Sequence, residues 1–347
     1  MLQRTKVLHA PIKTKPSFGI PLEVSKGIFL LKMPIPFVLD HINLWLLRDL
    51  DGWTIVDTGF YCEESIQIWE DVLSNFCQQE TIYKIIVTHF HPDHLGMAHW
   101  LTKKTQAPLY MSRAEFLTAQ LAYQQLTPAQ TQARVEFYQH FGLLEDDISS
   151  LVKRRPSSED AQLPATYRRL EAEQHVNIND EKWYVLSFAG HSPEHLCLHS
   201  VNRGILIAGD QVLPTISPNI SVAYSEPDAN VLASYLDSLE NLAALDVSTR
   251  VLPSHGAIFD GLQARVNELK LGHEKALEQI RQFCKQPRSG RAVMEDMFGT
   301  RLSILNKFLA VGEAKAHLNF LIAKQELTLK EASVDQYQII QIPTIET

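Results

Sequence analysis

Residues 88–96 read Thr-His-Phe-His-Pro-Asp-His-Leu-Gly and are the most informative stretch of the chain. The residues of metal-ligand type in it are His89, His91, Asp93 and His94. The apolar run at 84–87 predicts a buried strand before the stretch, and the spacing of apolar residues predicts a helix over 94–104 after it. These side chains are therefore expected on a strand-to-helix turn, where they can converge on one point.

The chemistry of these side chains predicts a metal site. Neutral imidazole and carboxylate suit Zn(II), Fe(II) or Mn(II) better than they suit Ca(II) or Mg(II). Crowding several titratable groups together is electrostatically costly unless a cation neutralises them. A histidine-rich surface turn is the simpler alternative, and the density of the pattern disfavours it.

Length and composition are those of an ordinary globular protein. The 347 residues allow one large domain and a small one, with 45% hydrophobic and 21% charged residues. The net charge of −8 argues against a dedicated polyanion binder. The scattered cysteines form no C-x-x-C pair and indicate reduced packing residues: Cys62, Cys77, Cys197 and Cys284.

Residues 1–16 lack the apolar core of a signal peptide, and no run of about eighteen apolar residues occurs. We therefore expect a cytoplasmic protein that does not enter a membrane.

Strand-like and helical patterns alternate along most of the chain. The strand-like runs are residues 27–33, 42–48, 53–57, 84–87, 108–111, 183–188, 196–200, 204–207 and 250–252. Helical patterns cover residues 63–76, 112–151 and 231–242, with Pro128 at a helix start. The alternation predicts an α/β sandwich over 20–260, with a helical insertion at about 112–169. Residues 261–347 are mostly helical and end in strand-like runs at 327–329 and 337–342, which predicts a small winged-helix-like domain.

Further residues of ligand type follow predicted strands. His191, Asp210 and His255 each stand beside a glycine, which lets the backbone approach a crowded centre. Asp57 has the same setting.

Together these residues resemble the metallo-β-lactamase superfamily, whose signature is H-x-H-x-D-H followed by a later His, Asp and His. The resemblance covers about 24–256 and implies a four-layer αββα sandwich. It implies that a first metal is held by His89, His91 and His191. It implies that a second metal is held by Asp93, His94 and His255. Asp210 would bridge the two metals, and Asp57 would orient the ligands from behind.

The resemblance implies a metal-dependent hydrolase that binds two Zn(II), with Fe or Mn as alternatives. Two cations can share a water and lower its pKa, so that a metal-bridging hydroxide attacks a carbonyl carbon or phosphorus. Asp93 and Asp57 are the catalytic assignments, since Asp93 could orient the hydroxide or carry a proton. His91 separates the chain from flavodiiron-type members, which have a glutamate at that position.

The C-terminal part resembles the glyoxalase II-like and β-lactamase-like-protein-2 branch, through residues 272–274 and 317–321. We therefore expect hydrolysis of a small (thio)ester or lactone. The predicted insertion would cover the site with apolar and aromatic residues, unless they form its own core: Leu117, Tyr123, Phe137, Tyr138 and Phe141.

Three alternatives stay open. An endoribonuclease or phosphodiesterase could use the same metals, with basic clusters at 153–155 and 168–169. A mono-iron dioxygenase would need only a subset of the ligands. A regulatory nucleic-acid-binding protein could act through the winged helix, although the negative charge disfavours a nucleic-acid partner. A small molecule is the expected partner, and a homodimer is left open.

Overall fold

The computed structural model describes residues 8–9, 15–36, 39–153 and 162–340. The chain forms two compact units. Unit 1 comprises Met1–Gln124, Arg155–Pro218 and Asn241–Val266. Unit 2 comprises Gln125–Arg154, Asn219–Glu240 and Asn267–Thr347. Residues 125–154 of the predicted insertion and the segment at 219–240 belong to the same unit as the C-terminal region. The predicted domain boundary near residue 260 stays a prediction.

The first sheet of unit 1 has seven strands in the order β2-β3-β4-β5-β6-β7-β8. They are β2 (Leu22–Ser25), β3 (Ile28–Pro34), β4 (His41–Asp49), β5 (Gly52–Val56), β6 (Ile82–Ile86), β7 (Leu109–Met111) and β8 (Arg168–Arg169). The strands from β2 to β5 pair antiparallel, whereas β5 to β8 pair parallel. The parallel half therefore has several carboxyl ends at one edge.

The second sheet of unit 1 also has seven strands, in the order β1-β14-β13-β12-β11-β10-β9. They are β1 (Leu8–His9), β9 (His175–Ile178), β10 (Glu181–Phe188), β11 (His195–Ser200), β12 (Ile205–Gly209), β13 (Arg250–Pro253) and β14 (Phe259–Asp260). Within it β12 and β13 pair parallel, so their carboxyl ends also lie together.

The core of unit 1 lies on both faces of the first sheet. Alternate residues of β4 face opposite ways, as in any strand. Leu44 and Leu46 belong to an apolar cluster with Trp69 of the helical layer, whereas Trp45 belongs to a cluster with Trp183 of the second sheet. This double burial explains why the strand is apolar at nearly every position, and it confirms the predicted α/β sandwich.

The described residues also form ten α-helices. They are α1 (Glu63–Asp71), α2 (Pro92–Leu95), α3 (Ala98–Thr105), α4 (Arg113–Tyr123), α5 (Pro128–Phe141), α6 (Glu145–Lys153), α7 (Val231–Ala243), α8 (Leu262–Phe283), α9 (Gly290–Phe298) and α10 (Ile304–Ala323). A π-helical turn, Val72–Phe76, extends α1 to the end predicted from the sequence. No helix within the described ranges combines the length and apolar character that a membrane span requires.

Unit 2 combines the helices around α10 with a three-stranded sheet, in the order β15-β17-β16. Its strands are β15 (Arg288–Ser289), β16 (Leu327–Lys330) and β17 (Gln336–Ile339). The predicted helix start at Pro128 is confirmed, and Thr127 caps α5 by accepting a hydrogen bond from the backbone of Gln130. The ring of Phe141 packs so closely against Gly290 that a Cβ there would lie 2.5 Å from it. Phe141 and Tyr138 are both buried and are therefore core residues of unit 2. Residues 341–342 of the last predicted strand lie outside the described residues.

A pair of buried histidines lies within unit 2. His317 donates from Nδ1 to the backbone oxygen of Glu313 at 2.8 Å, because a carbonyl oxygen only accepts. Its Nε2 therefore accepts from Nδ1 of His273, 3.1 Å away. Burial, together with the neighbouring His317, lowers the pKa of His273 to about 3.

Acidification should destabilise the folded protein through His273. In the unfolded chain a histidine takes up a proton near pH 6.5, whereas folded His273 stays neutral down to about pH 3. The contribution of His273 to the free energy of unfolding is therefore fully present above pH 6.5. It falls as the pH drops below that value, by about 2 kcal/mol at pH 5. His273→Gln, which can still donate to His317, should show a smaller loss of urea stability between pH 7 and pH 5.

The exposed histidine of β9 supplies the control, because His175→Gln should leave the pH dependence of unfolding unchanged. Equal losses of stability in His273→Gln and the unaltered protein would contradict this account.

Candidate metal centre

All the predicted ligands lie in unit 1, where strands of both sheets end at one edge. Asp57 follows β5, residues 88–94 follow β6, His191 follows β10, Asp210 follows β12 and His255 follows β13. The backbone N–H of Leu196 donates to the backbone oxygen of Thr88 at 2.8 Å, and this hydrogen bond joins the two sheets beside the site. Carboxyl ends of strands are common sites for ligands because the chain there leaves the sheet and exposes its side chains.

A first cluster contains the ring nitrogens of three histidines and one carboxylate. Its members are His89, His91, His191 and Asp210, whose ligand atoms all lie within 4.8 Å of one another. His89 Nε2 lies 2.8 Å from His91 Nδ1 and 3.3 Å from His191 Nε2. His191 Nε2 lies 3.4 Å from Asp210 Oδ2.

A second cluster contains Asp93, His94 and His255. Oδ2 of Asp93 lies 3.2 Å from Nε2 of His255 and 3.8 Å from Nε2 of His94. The backbone oxygen of His41 accepts from Nδ1 of His255 at 2.8 Å, so the other ring nitrogen of His255 is directed at the cluster.

Asp210 lies between the two clusters. Its Oδ2 is 3.9 Å from Nε2 of His89 in the first cluster and 3.5 Å from Nε2 of His94 in the second. Its Oδ1 is 3.5 Å from Nε2 of His255. The structure thus brings together all seven residues expected as ligands, with Asp210 in the intermediate position that the family resemblance implied.

Hydrogen bonds behind the clusters orient the ring nitrogens. The carboxylate of Asp57 accepts from the hydroxyl of Thr88 at 3.0 Å and from Nδ1 of His94 at 2.8 Å. Because the Thr88 hydroxyl proton is used in this way, its oxygen can accept from Nδ1 of His89, 3.0 Å away. Nδ1 is thus the donor in both rings, and Nε2 of His89 and of His94 is left for the centre.

The donor set fits a divalent cation in each cluster. Nε2 of His94 and Oδ1 of Asp210 are buried without a hydrogen-bond partner among the described residues. Ligands about 2.0–2.2 Å from a tetrahedral cation lie about 3.3–3.6 Å from one another. The separations of His191 Nε2 from His89 Nε2 (3.3 Å) and from Asp210 Oδ2 (3.4 Å), and that of Asp93 Oδ2 from His255 Nε2 (3.2 Å), are close to this. Imidazole and carboxylate are the ligands that Zn(II) and related cations use in proteins.

The electrostatics of the site also favour a cation. Burial lowers the pKa of His91 to about 3, and the pKa of His89 falls well below its ordinary value for the same reason. Burial opposes ionisation of Asp93, but His94 and His255 lower its pKa to about 2. Burial also opposes protonation of His94, yet Asp57 and Asp210 hold its pKa well above the ordinary value. The anions thus attract positive charge to the second cluster, and a metal ion competes with a proton for that place.

Two backbone features show how tightly the edge is built. Asp57 has a φ of +61°, a left-handed conformation that aspartate tolerates better than most residues and that is found at functional sites. Gly209 has a φ of +52°, and a Cβ on it would lie 2.5 Å from the ring of His195. His195 in turn accepts a hydrogen bond from the backbone N–H of Asp210 at 3.1 Å. His195 therefore supports the candidate ligand Asp210 through its backbone.

Asn43 was not among the residues that the sequence predicted for the site. This buried residue of β4 donates to the backbone oxygens of Pro253 at 3.0 Å and Gly256 at 2.9 Å, which flank His255. The sequence feature that could have pointed to Asn43 is the presence of a polar asparagine within the apolar run at 42–48. His99 lies apart from this network, with its Nδ1 3.1 Å from the backbone oxygen of Leu163.

Comparison with known proteins identifies the family. The profile described as "Metallo-beta-lactamase superfamily" matches residues 38–255, and the profile "Metallo-beta-lactamase-like, C-terminal domain" matches residues 277–339. The chain belongs to the metallo-β-lactamase superfamily, and its candidate metal site implies binding of a divalent metal.

Three individual relatives are similar over most of the chain. A β-lactamase domain protein of Burkholderia ambifaria is 36% identical, with a TM-score of 0.89 over 97% of this chain and 99% of its own. A metallo-β-lactamase family protein of Thermus thermophilus is 23% identical, with a TM-score of 0.78 over 92% of this chain and 100% of its own. The "Probable metallo-hydrolase YflN" of Bacillus subtilis is 23% identical over 74% of this chain and 93% of its own length.

Asp57→Asn should weaken metal binding while preserving the fold. Asparagine tolerates the left-handed backbone at this position, but its amide has only one accepting oxygen. Either the backbone N–H of Thr88, which donates to Oδ1, or Nδ1 of His94, which donates to Oδ2, therefore loses its acceptor. We expect metal affinity to fall about 10–100-fold, as is typical when groups that orient ligands are changed. Competition with a chromophoric chelator measures the affinity.

Asp180→Asn is a matched control, because Asp180 is exposed and has a similar φ of +59°. An Asp57→Asn protein that binds metal as tightly as this control would refute the orienting role.

Proposed function

We propose that the protein is a dinuclear metal-dependent hydrolase that cleaves a small (thio)ester or lactone. The observation that carries the proposal is the place of Asp210, whose Oδ2 lies 3.4 Å from Nε2 of His191 in the first cluster and 3.5 Å from Nε2 of His94 in the second. One carboxylate can then serve two cations at once. The Bacillus subtilis relative, named a probable metallo-hydrolase, supports the same reaction type.

Two Zn(II) ions are the proposed cofactors, and when bound they supply a nucleophile by lowering the pKa of a water, while also polarising the carbonyl oxygen. The residues of the chain hold this chemistry in place. Asp57 keeps the proton of His94 on Nδ1, so that the ligand nitrogen stays free. Asp93, ionised at neutral pH because its pKa is lowered to about 2, supplies a carboxylate that can accept a hydrogen bond from the attacking water.

Tyr123 supports a substrate with a carbonyl oxygen. Its hydroxyl is buried without a hydrogen-bond partner among the described residues. Burial and the charge of Asp93 raise the pKa of Tyr123 above its ordinary value, so the hydroxyl keeps its proton at neutral pH. A buried, uncharged hydroxyl of this kind can donate to the developing charge on a carbonyl oxygen.

The phosphodiesterase alternative needs free basic side chains to meet a polyanion. Arg168 instead donates to the hydroxyl of Tyr110 at 3.0 Å, and Arg169 pairs with Glu171. Residues 154–155 of the other basic cluster lie outside the described residues. The ion pair of Arg169 with Glu171 reduces the positive charge available to a polyanion and so favours the ester and lactone substrates. The small-molecule partner, the cytoplasmic location, the winged-helix assignment and a homodimer remain predictions.

Purified protein loaded with Zn(II) should hydrolyse at least one class in a panel of thioesters, lactones and aryl esters. Asp210→Asn should lower the rate by more than about 100-fold, since changing groups that only support the ligands already costs 10–100-fold. Rates are measured together with metal content by elemental analysis. Asp180→Asn serves as the control for a charge change far from the ligands.

Assays of RNA cleavage, iron content and oxygen consumption, added to the same panel, separate the alternatives. Cleavage of single-stranded RNA with no reaction of the esters would favour the phosphodiesterase. One iron per chain together with oxygen consumption would favour the mono-iron dioxygenase. Inactivity of the zinc-loaded protein on the whole panel would contradict the proposal.

A further inference from the structure

A fully buried carboxylate, Glu115, lies outside the predicted ligand set. It belongs to the first turn of α4, and none of its surface is exposed to solvent. A buried carboxylate is costly unless its oxygens accept enough hydrogen bonds. The groups that donate these hydrogen bonds to Glu115 therefore indicate its role.

Both oxygens of Glu115 accept hydrogen bonds from the loops that carry the first cluster. Oε2 accepts from the backbone N–H of Phe90 at 2.9 Å. Oε1 accepts from the hydroxyl of Ser192 at 2.6 Å and from the backbone N–H of Glu194 at 2.7 Å. Phe90 stands between His89 and His91 in the chain, and Ser192 follows His191.

The two loops come from different sheets. Residues 88–94 follow β6 of the first sheet, whereas residues 189–194 join β10 to β11 of the second. Glu115 thus bridges the gap that a cation in the first cluster must also bridge. The loop holds α4 in return, because a carboxylate oxygen of Glu194 accepts from the backbone N–H of Ala114 at 2.8 Å and the backbone oxygen of Glu194 accepts from Ser112 at 2.8 Å.

We propose that Glu115 is the positioning residue of the first cluster: it fixes His89 and His91 relative to His191 and so sets the affinity of that cluster for its cation. This inference rests on the two-metal site of the proposed function. The second cluster has a separate support, because Asn43 holds the backbone around His255. Loss of Glu115 should therefore affect one cluster and spare the other.

Two substitutions distinguish positioning from charge. Glu115→Gln keeps the length of the side chain, but its amide nitrogen cannot accept, so either Phe90 or Glu194 loses its acceptor. Glu115→Asp keeps the charge, but it is one methylene shorter and cannot reach both loops. Positioning predicts that both variants weaken the first cluster, whereas an effect of charge alone predicts that only Glu115→Gln does.

The test is a stepwise titration of the metal-free full-length protein with Zn(II) in competition with a chelator, repeated with Co(II) to follow its absorption spectrum. His191→Ala, which removes a ligand, identifies the step that belongs to the first cluster. We expect both Glu115 variants to weaken that step by about 10–100-fold and to change its Co(II) spectrum, with the other step unchanged. Ser192→Ala removes one of the three donors and should weaken the same step to a smaller extent.

Circular dichroism and thermal unfolding of each metal-free variant report whether it is folded, and Ser192→Ala supplies the answer if neither Glu115 variant folds. The inference is overturned if both Glu115 variants, or Glu115→Asp alone, bind with wild-type affinity. It is also overturned if both binding steps weaken equally, or if Ser192→Ala leaves the first-cluster step unchanged. A wild-type protein that binds only one cation contradicts the proposed dinuclear function instead, and the first-cluster step still decides the role of Glu115.

Discussion

The crowding of ring nitrogens and carboxylates at one buried edge is the constraint on which the rest of the structure depends. Within the first cluster His89 Nε2 and His91 Nδ1 are only 2.8 Å apart, and Asp210 brings a carboxylate into the same space. Burying such groups together costs more free energy than their hydrogen bonds return unless positive charge is present. Binding of a divalent metal provides such charge at the edge where the carboxyl ends of strands from both sheets meet.

The support behind the ligands is as specific as the ligands themselves. Asp57, with Thr88, fixes the proton positions of two rings. His195 holds the backbone of Asp210, while Asn43 and Glu115 hold the loops around the second and first clusters. Apart from the contact between the neighbours Thr88 and His89, each of these contacts joins residues at least 15 positions apart in sequence. This arrangement lets the fold preorganise both clusters, which limits the reorganisation needed when cations bind.

The candidate ligands could be predicted from the sequence because the chemistry and the local pattern agree: a histidine-rich turn after an apolar strand, and single ligand-type residues beside glycines at other strand ends. The helix start at Pro128 was predictable for the same local reason. Glu115 was not, since a glutamate in an amphipathic helix is usually exposed, and only tertiary contacts bury it. The grouping of residues 125–154 with the C-terminal region was also hidden, because the pairing of Phe141 with Gly290 is set by packing over a long stretch of chain.

Anomalous X-ray diffraction from crystals of the zinc-loaded protein tests the central claim most directly. We expect two anomalous peaks about 3.5–4 Å apart. One should lie among His89, His91 and His191, the other among Asp93, His94 and His255, with Asp210 in contact with both. A single fully occupied peak in crystals soaked with excess zinc, with no density at the other cluster, would contradict it.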